Sequence, residues 1–140
     1  MRRLTPALLI ALSLSLPGAA QLNSPAAAPV CAPMGVAHTR TTFYFGLAHP
    51  AGTVSEKQWR KFLREQVTPR FPNGFTVWQA DGQWQNANGR ISRERAKVLL
   101  LVHEESSPVR QALIELVQSY KRAFRQESVL WETAAVCAAF

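Results

Sequence analysis

Histidine and cysteine are scarce in this chain of 140 residues: three of the first and two of the second. His38, His49 and His103 lie far apart. No two share a helix face or a short spacing, so a metal site would need tertiary convergence. The cysteines, Cys31 and Cys137, are far from the Cys-x-x-Cys spacing of a redox pair. Only seven glycines are present, and none builds a glycine-rich phosphate loop after a strand. There is no serine elbow and no activated-cysteine context either. These gaps remove the common motif-bearing enzyme classes and leave no cofactor implied. Long apolar runs are also missing. The longest, Leu4 to Leu16, is too short to span a bilayer, so no transmembrane segment is expected.

That short run is nevertheless informative. Arg2 and Arg3 precede it, and the small residues Pro17, Gly18, Ala19 and Ala20 follow it. Positive start, apolar middle and small-residue end are the three parts of a cleaved secretory signal. The chain therefore divides into a signal peptide over 1–20, an Ala/Pro-rich linker over 21–38 and a single domain over 39–140. The expected location is secreted or periplasmic. After cleavage about 120 residues remain, enough for one core. In an oxidising compartment an even pair of cysteines suggests a disulfide between Cys31 and Cys137. Closing so large a loop is worth up to ~4–5 kcal/mol on loop entropy.

Basic residues outnumber acidic ones, 16 to 9, and the formal charge of +7 falls to +5 once Arg2 and Arg3 are removed. Most of the rest sit on helix faces between Glu and Gln. That reads as a solvated, mildly basic surface, with attraction to anionic polymers or lipid head groups as the functional alternative.

The periodicity gives the elements. Arg40 to Leu47 is β-branched and aromatic, the first strand. His49-Pro50-Ala51-Gly52 is turn chemistry. Ser55 with Gln58 forms a capping box, and Val54 with Trp59 takes the staple positions of a helix. Its apolar stripe is Trp59, Phe62, Leu63 and Val67, and Pro69 and Pro72 end it. Phe75 to Gln79 is a second strand, Asp81-Gly82 predicts a tight hairpin returning through Gln85, and Asn88-Gly89 is another turn. Lys97 to His103 is a strand without alternation. Ser107-Pro108 starts a second helix with stripe Leu113, Leu116, Val117, Tyr120 and Phe124. Val129 to Val136 is the last strand. The expected fold is α+β: a ferredoxin-like βαββαβ two-layer sandwich with an antiparallel sheet and an extra hairpin. In that topology the start of the first strand lies beside the end of the last, which independently brings Cys31 to Cys137.

The run Val67-Thr68-Pro69-Arg70-Phe71-Pro72-Asn73-Gly74-Phe75-Thr76-Val77 and the segment Asp81-Gly82-Gln83-Trp84 carry a resemblance. With Phe45-Gly46, Arg93-Glu94 and Lys97-Val98-Leu99, they resemble a family of small secreted bacterial proteins, domain of unknown function 3574. The resemblance covers about Thr39 to Phe140. It implies location and domain extent, and no mechanism.

Three side chains are candidate catalytic groups. Arg70, between two prolines, presents a guanidinium to a carboxylate or phosphate, or pairs with an internal acid such as Glu94 or Glu127. His103 with Glu104 or Glu105 stands at a strand end. Tyr44 lies on a strand face. Nucleic-acid partners are not expected, because strand Lys97–His103 is aliphatic where an RNA-binding module exposes aromatic and basic residues. Helices cover one face of a two-layer sandwich, so the other should alternate to polar. Here both faces read apolar, with Tyr44, Trp78, Leu99 and Leu101 expected to face away from the helices. A second copy packed sheet to sheet would hide such a face. An apolar ligand in a groove would also do so, as would a folded-over Asn88-Gly89 region or linker. The leading expectation is a non-enzymatic interaction or binding module that forms a homodimer through the open face, with an unknown protein or small ligand as further partner. The alternative is a small-molecule enzyme of the dimeric α/β-barrel type with a pocket on that face.

Cleavage after Ala20 is expected. Intact mass of the chain expressed in an exporting host should correspond to a protein beginning at Gln21. A product that retains Met1 to Ala20 refutes the signal.

Overall fold

The computed structural model describes residues 30–85 and 88–140. The signal peptide and positions 21–29 of the expected linker lie outside the described residues. Strand β1 spans Val36–Gly46, and a small hairpin of β2 (Ala48–His49) and β3 (Gly52–Thr53) follows. Helix α1 covers Glu56–Phe62 and runs into a π-helical turn at Leu63–Val67. Strands β4 (Thr76–Gln85) and β5 (Ile91–His103) precede helix α2 (Ser107–Phe124) and strand β6 (Leu130–Ala138). The main sheet has four strands in the order β4-β5-β1-β6, and every neighbouring pair is antiparallel. Among the described residues, two helices complete this mixed α/β domain.

β1 starts at Val36, ahead of the expected Arg40. The reason is β6, which pairs Val36 with Ala138 and Ala37 with Cys137. Cys31 and Cys137 are disulfide-bonded with Cα atoms 5.3 Å apart. This is the proximity that antiparallel first and last strands require.

The larger correction concerns Asp81-Gly82. No hairpin forms there and the sheet carries no extra one. β4 continues straight through, pairing Asp81 with Arg95 and Gly82 with Glu94. A two-residue hairpin needs positive φ at its centre, and neither residue adopts it. The chain reverses instead around Asn88-Gly89, where Gly89 takes φ 73°. Pairing along the whole length of β5 outweighs the local turn preference, since each added pair satisfies backbone groups. Beyond Gly46↔Ala96, where β1 stops, β4 and β5 continue alone as a two-stranded ribbon.

The helices form as their caps dictate. Ser55 and Gln58 make the reciprocal capping box, and Val54 and Trp59 beside it are both buried. The π-helical turn shows in Thr68 N–H donating to the Leu63 carbonyl at 2.9 Å. α2 is capped by Ser106, whose hydroxyl accepts from Val109 N–H, so Pro108 falls at the second helical position. Arg125 ends it in the left-handed conformation at φ 52°.

Both helices lie on one face of the sheet. Trp59, Phe62, Leu113, Leu116, Tyr120 and Phe124 are buried, and Leu63 and Val117 pack against them. Tyr120 is central: its ring lies 4.5 Å from Phe45 and 4.7 Å from Phe124, and its hydroxyl donates to the Gly46 carbonyl at 2.9 Å. Burial pushes that phenol well above its ordinary range.

The sheet side of this core overturns one expectation. Leu99 and Leu101 face the helices with Phe43 and Phe45, not the open side. Residues directly opposite in an antiparallel ladder share a face, and the register sets Phe43 against Leu99 and Thr41 against Leu101. The open face instead carries Tyr44, Val98, Leu100 and Trp78. A strand without alternation, such as Val98 to Val102, cannot report its own orientation; its partner strand does.

Leu116 is fully buried. Leu116→Ala should therefore lower unfolding free energy by about 2–5 kcal/mol in urea titration. A loss below about 0.5 kcal/mol contradicts the packing described.

Candidate functional site

Cross-strand rows organise the open face. Trp78, Val98, Tyr44 and Leu130 form one row, and Thr76, Leu100, Thr42 and Glu132 form the next. Val98, at the centre, is 1% exposed, while Trp78 is 44% and Leu130 66% exposed. The Tyr44 hydroxyl donates to Glu132 Oε1 at 3.3 Å. Partial burial, and then the neighbouring carboxylate, push the phenol above its usual value. Toward the ribbon the side chains shrink to Ala80, Ala96 and Gly46, with Glu94 one pleat further on. The Glu94 carboxylate lies over Gly46, where a Cβ would come within 3.0 Å of Oε2.

A second polar group gathers beneath the start of α2. The Thr41 hydroxyl, fully buried, lies 2.9 Å from His103 Nε2, and His103 Nδ1 lies 2.9 Å from the Glu104 carbonyl oxygen. A carbonyl can only accept, so Nδ1 carries a proton; in the neutral ring Nε2 then accepts from the Thr41 hydroxyl. Glu105 receives two bonds from the Arg110 guanidinium. These bonds hold its carboxyl below the usual carboxylate range, aided by the charge of Arg110, by His103 and by Thr39. Beside them runs an open groove of about 390 Å³, with Thr39, Leu113, Trp131 and Thr133 among its lining.

Arg70 is used internally. Its Nη1 donates to the Gln66 carbonyl at 2.9 Å and to Gln66 Oε1 at 3.2 Å, and its Nε lies 3.9 Å from Glu115. The guanidinium thus satisfies the end of the π-helical turn and links it to α2. Its acidic partner is Glu115, not Glu94 or Glu127. Glu115 is reached only because α2 packs beside that turn.

The three candidate catalytic residues therefore do not converge. Tyr44 is on the open face, His103 is under α2, and Arg70 is in the helical layer. No group of three or more His, Cys, Asp or Glu side chains suited to a metal occurs among the described residues. Arg40, Glu94 and Glu132 share the open face, a placement that the sequence pattern did not predict. Strand alternation puts them there once the register is known.

The family model for a protein of unknown function, DUF3574, matches residues 40–140. The chain belongs to this family. No curated protein matches it. Among solved structures, this DUF3574 protein is similar to a phage SAM lyase in complex with S-methyl-5'-thioadenosine. The TM-score is 0.55 at 13% identity, covering 72% of this chain and 90% of that one. The same lyase in its apo state gives a TM-score of 0.55 at 12% identity, covering 80% and 98%. At such identity the likeness is one of fold. No helix among the described residues of the DUF3574 domain is long and apolar enough to cross a membrane.

The Glu105–Arg110 pair makes a pH prediction. A carboxyl whose folded pKa is depressed stabilises the protein above its unfolded pKa, about 4.3, and loses that contribution as pH falls through the folded value. Glu105→Gln should therefore be less stable than the parent at pH 7, and the gap should close below about pH 4. Urea titrations across that range measure it. An unchanged gap at pH 3 rules out the charge as its cause.

Proposed function

We propose that this DUF3574 protein is a secreted or periplasmic binding module of ferredoxin-like topology that works through its open sheet face and performs no catalysis of its own. The strand order β4-β5-β1-β6, with a helix between β1 and β4 and another between β5 and β6, supports that topology. The Cys31–Cys137 disulfide supports the oxidising location.

The observation that carries the reading is the exposed row of Trp78 and Leu130 flanking Tyr44 and Val98. A single sheet covered on one side normally turns polar residues outward on the other. Keeping indole and leucine there is costly to solubility unless something covers them. The remaining candidate groups lean the same way. Arg70 and His103 each have internal hydrogen-bond partners that account for their positions.

The enzyme reading draws on one observation, the likeness of fold to a phage SAM lyase. Native mass spectrometry of the purified protein, followed by incubation with S-adenosylmethionine, separates the two. The expected result is polypeptide mass alone and no release of S-methyl-5'-thioadenosine. A stoichiometric small molecule carried through purification, or turnover, replaces the binding-module reading with the enzymatic one.

A further inference from the structure

Two charges on the open face stand unpaired. Arg40 and Glu94 form no ion pair or side-chain hydrogen bond among the described residues, whereas Glu132 accepts from Tyr44 and Lys97 pairs with Glu56. Their positions are symmetric about the apolar row. On β1, Arg40 lies two pleats from Tyr44. On β5, Glu94 lies two pleats from Val98, the residue opposite Tyr44. Because β1 and β5 are antiparallel and Gly46 pairs with Ala96, the two displacements point to opposite ends of the sheet. The face thus reads positive, apolar, negative along the strands.

We infer that the open face binds a second copy of this chain, related by a two-fold axis that runs across the strands at the Tyr44 row. The inference rests on reading that face as the contact surface, and adds its occupant and register. Such an axis reverses the strand direction, so Glu94 of each copy lies over the partner's Arg40 and the pair forms twice. Isologous contacts repeat every interaction in this way. An axis parallel to the strands brings like charge toward like and is disfavoured. β1 and β5 are adjacent, about 4.8 Å apart, which an arginine side chain spans. The small residues Gly46, Ala80 and Ala96 beside Glu94 leave room for the incoming guanidinium. Trp78, Tyr44 and Leu130 meet their own copies at the centre. Four strands at about 4.8 Å and a length of about 35 Å give on the order of 700 Å² per copy, near the roughly 800 Å² of a stable interface.

The test is a charge exchange read by sedimentation velocity. The proteins are the full chain expressed in an exporting host and its variants Arg40→Glu, Glu94→Arg, the double exchange and Leu100→Glu. Melting curves of each variant accompany the runs. The wild type should dimerise at micromolar concentration. Each single exchange sets like charges together twice and should weaken the dimer about 100-fold. The double exchange should restore it, a result that loss of folding cannot mimic. Leu100→Glu should split the dimer. If Leu100→Glu splits it but the single exchanges do not, or the double exchange fails to rescue, the register is overturned while the open face stands as the interface. A monomeric wild type, or a dimer indifferent to Leu100→Glu, overturns the second copy on this face altogether.

Discussion

Everything in this domain depends on β1. It is hydrogen-bonded on both sides, to β5 and β6, and its alternation separates two environments. Phe43 and Phe45 point into the core at zero exposure, while Tyr44 between them points out. Once those two rings are committed to the helices, the facing residues of β5 and β6 have no choice. Leu99 and Leu101 go in with them, and Val98 and Leu100 go out. The same strand sets the position of Tyr120, whose hydroxyl bonds the carbonyl of its last residue. The disulfide then ties the segment leading into β1 to the end of β6.

The consequence for function is an asymmetric distribution of work. The helix side spends its aromatic residues on packing and its charged groups on local order. Arg70 closes the turn after α1, Arg110 holds Glu105, and Lys97, whose side chain is 12% exposed, holds Glu56. On the open side Tyr44 bonds Glu132, but Arg40 and Glu94 form no ion pair or side-chain hydrogen bond among the described residues. The large side chains there are partly covered by one another. A surface that leaves both apolar area and charge unsatisfied is where recognition is to be sought.

The likeness to a phage SAM lyase fits this picture at the level of architecture. One small sandwich supports unrelated functions because function resides in the side chains placed on it. In the DUF3574 chain the three groups best suited to chemistry sit on different surfaces, and the unsatisfied ones share the open face.

The elements with strong local signals were legible from the sequence alone. The capping box at Ser55 and Gln58, the proline stop after Val67, the stripe from Leu113 to Phe124 and the pairing of the two cysteines all follow from short-range chemistry or from a count of two. What the sequence misled on was Asp81-Gly82, a strong turn signal that a long strand pairing overrode, and the orientation of Val98 to Val102, where no alternation exists to read. The partner of Arg70 and the juxtaposition of Arg40, Glu94 and the apolar row were beyond it for the same reason. Such relations are set by register between strands distant in sequence, and a one-residue slip would have exchanged every face. Local propensity determines which segments become helix or strand. Only the packed sheet, with β1 at its centre, decides which side of each strand meets the core and which is left to meet something else.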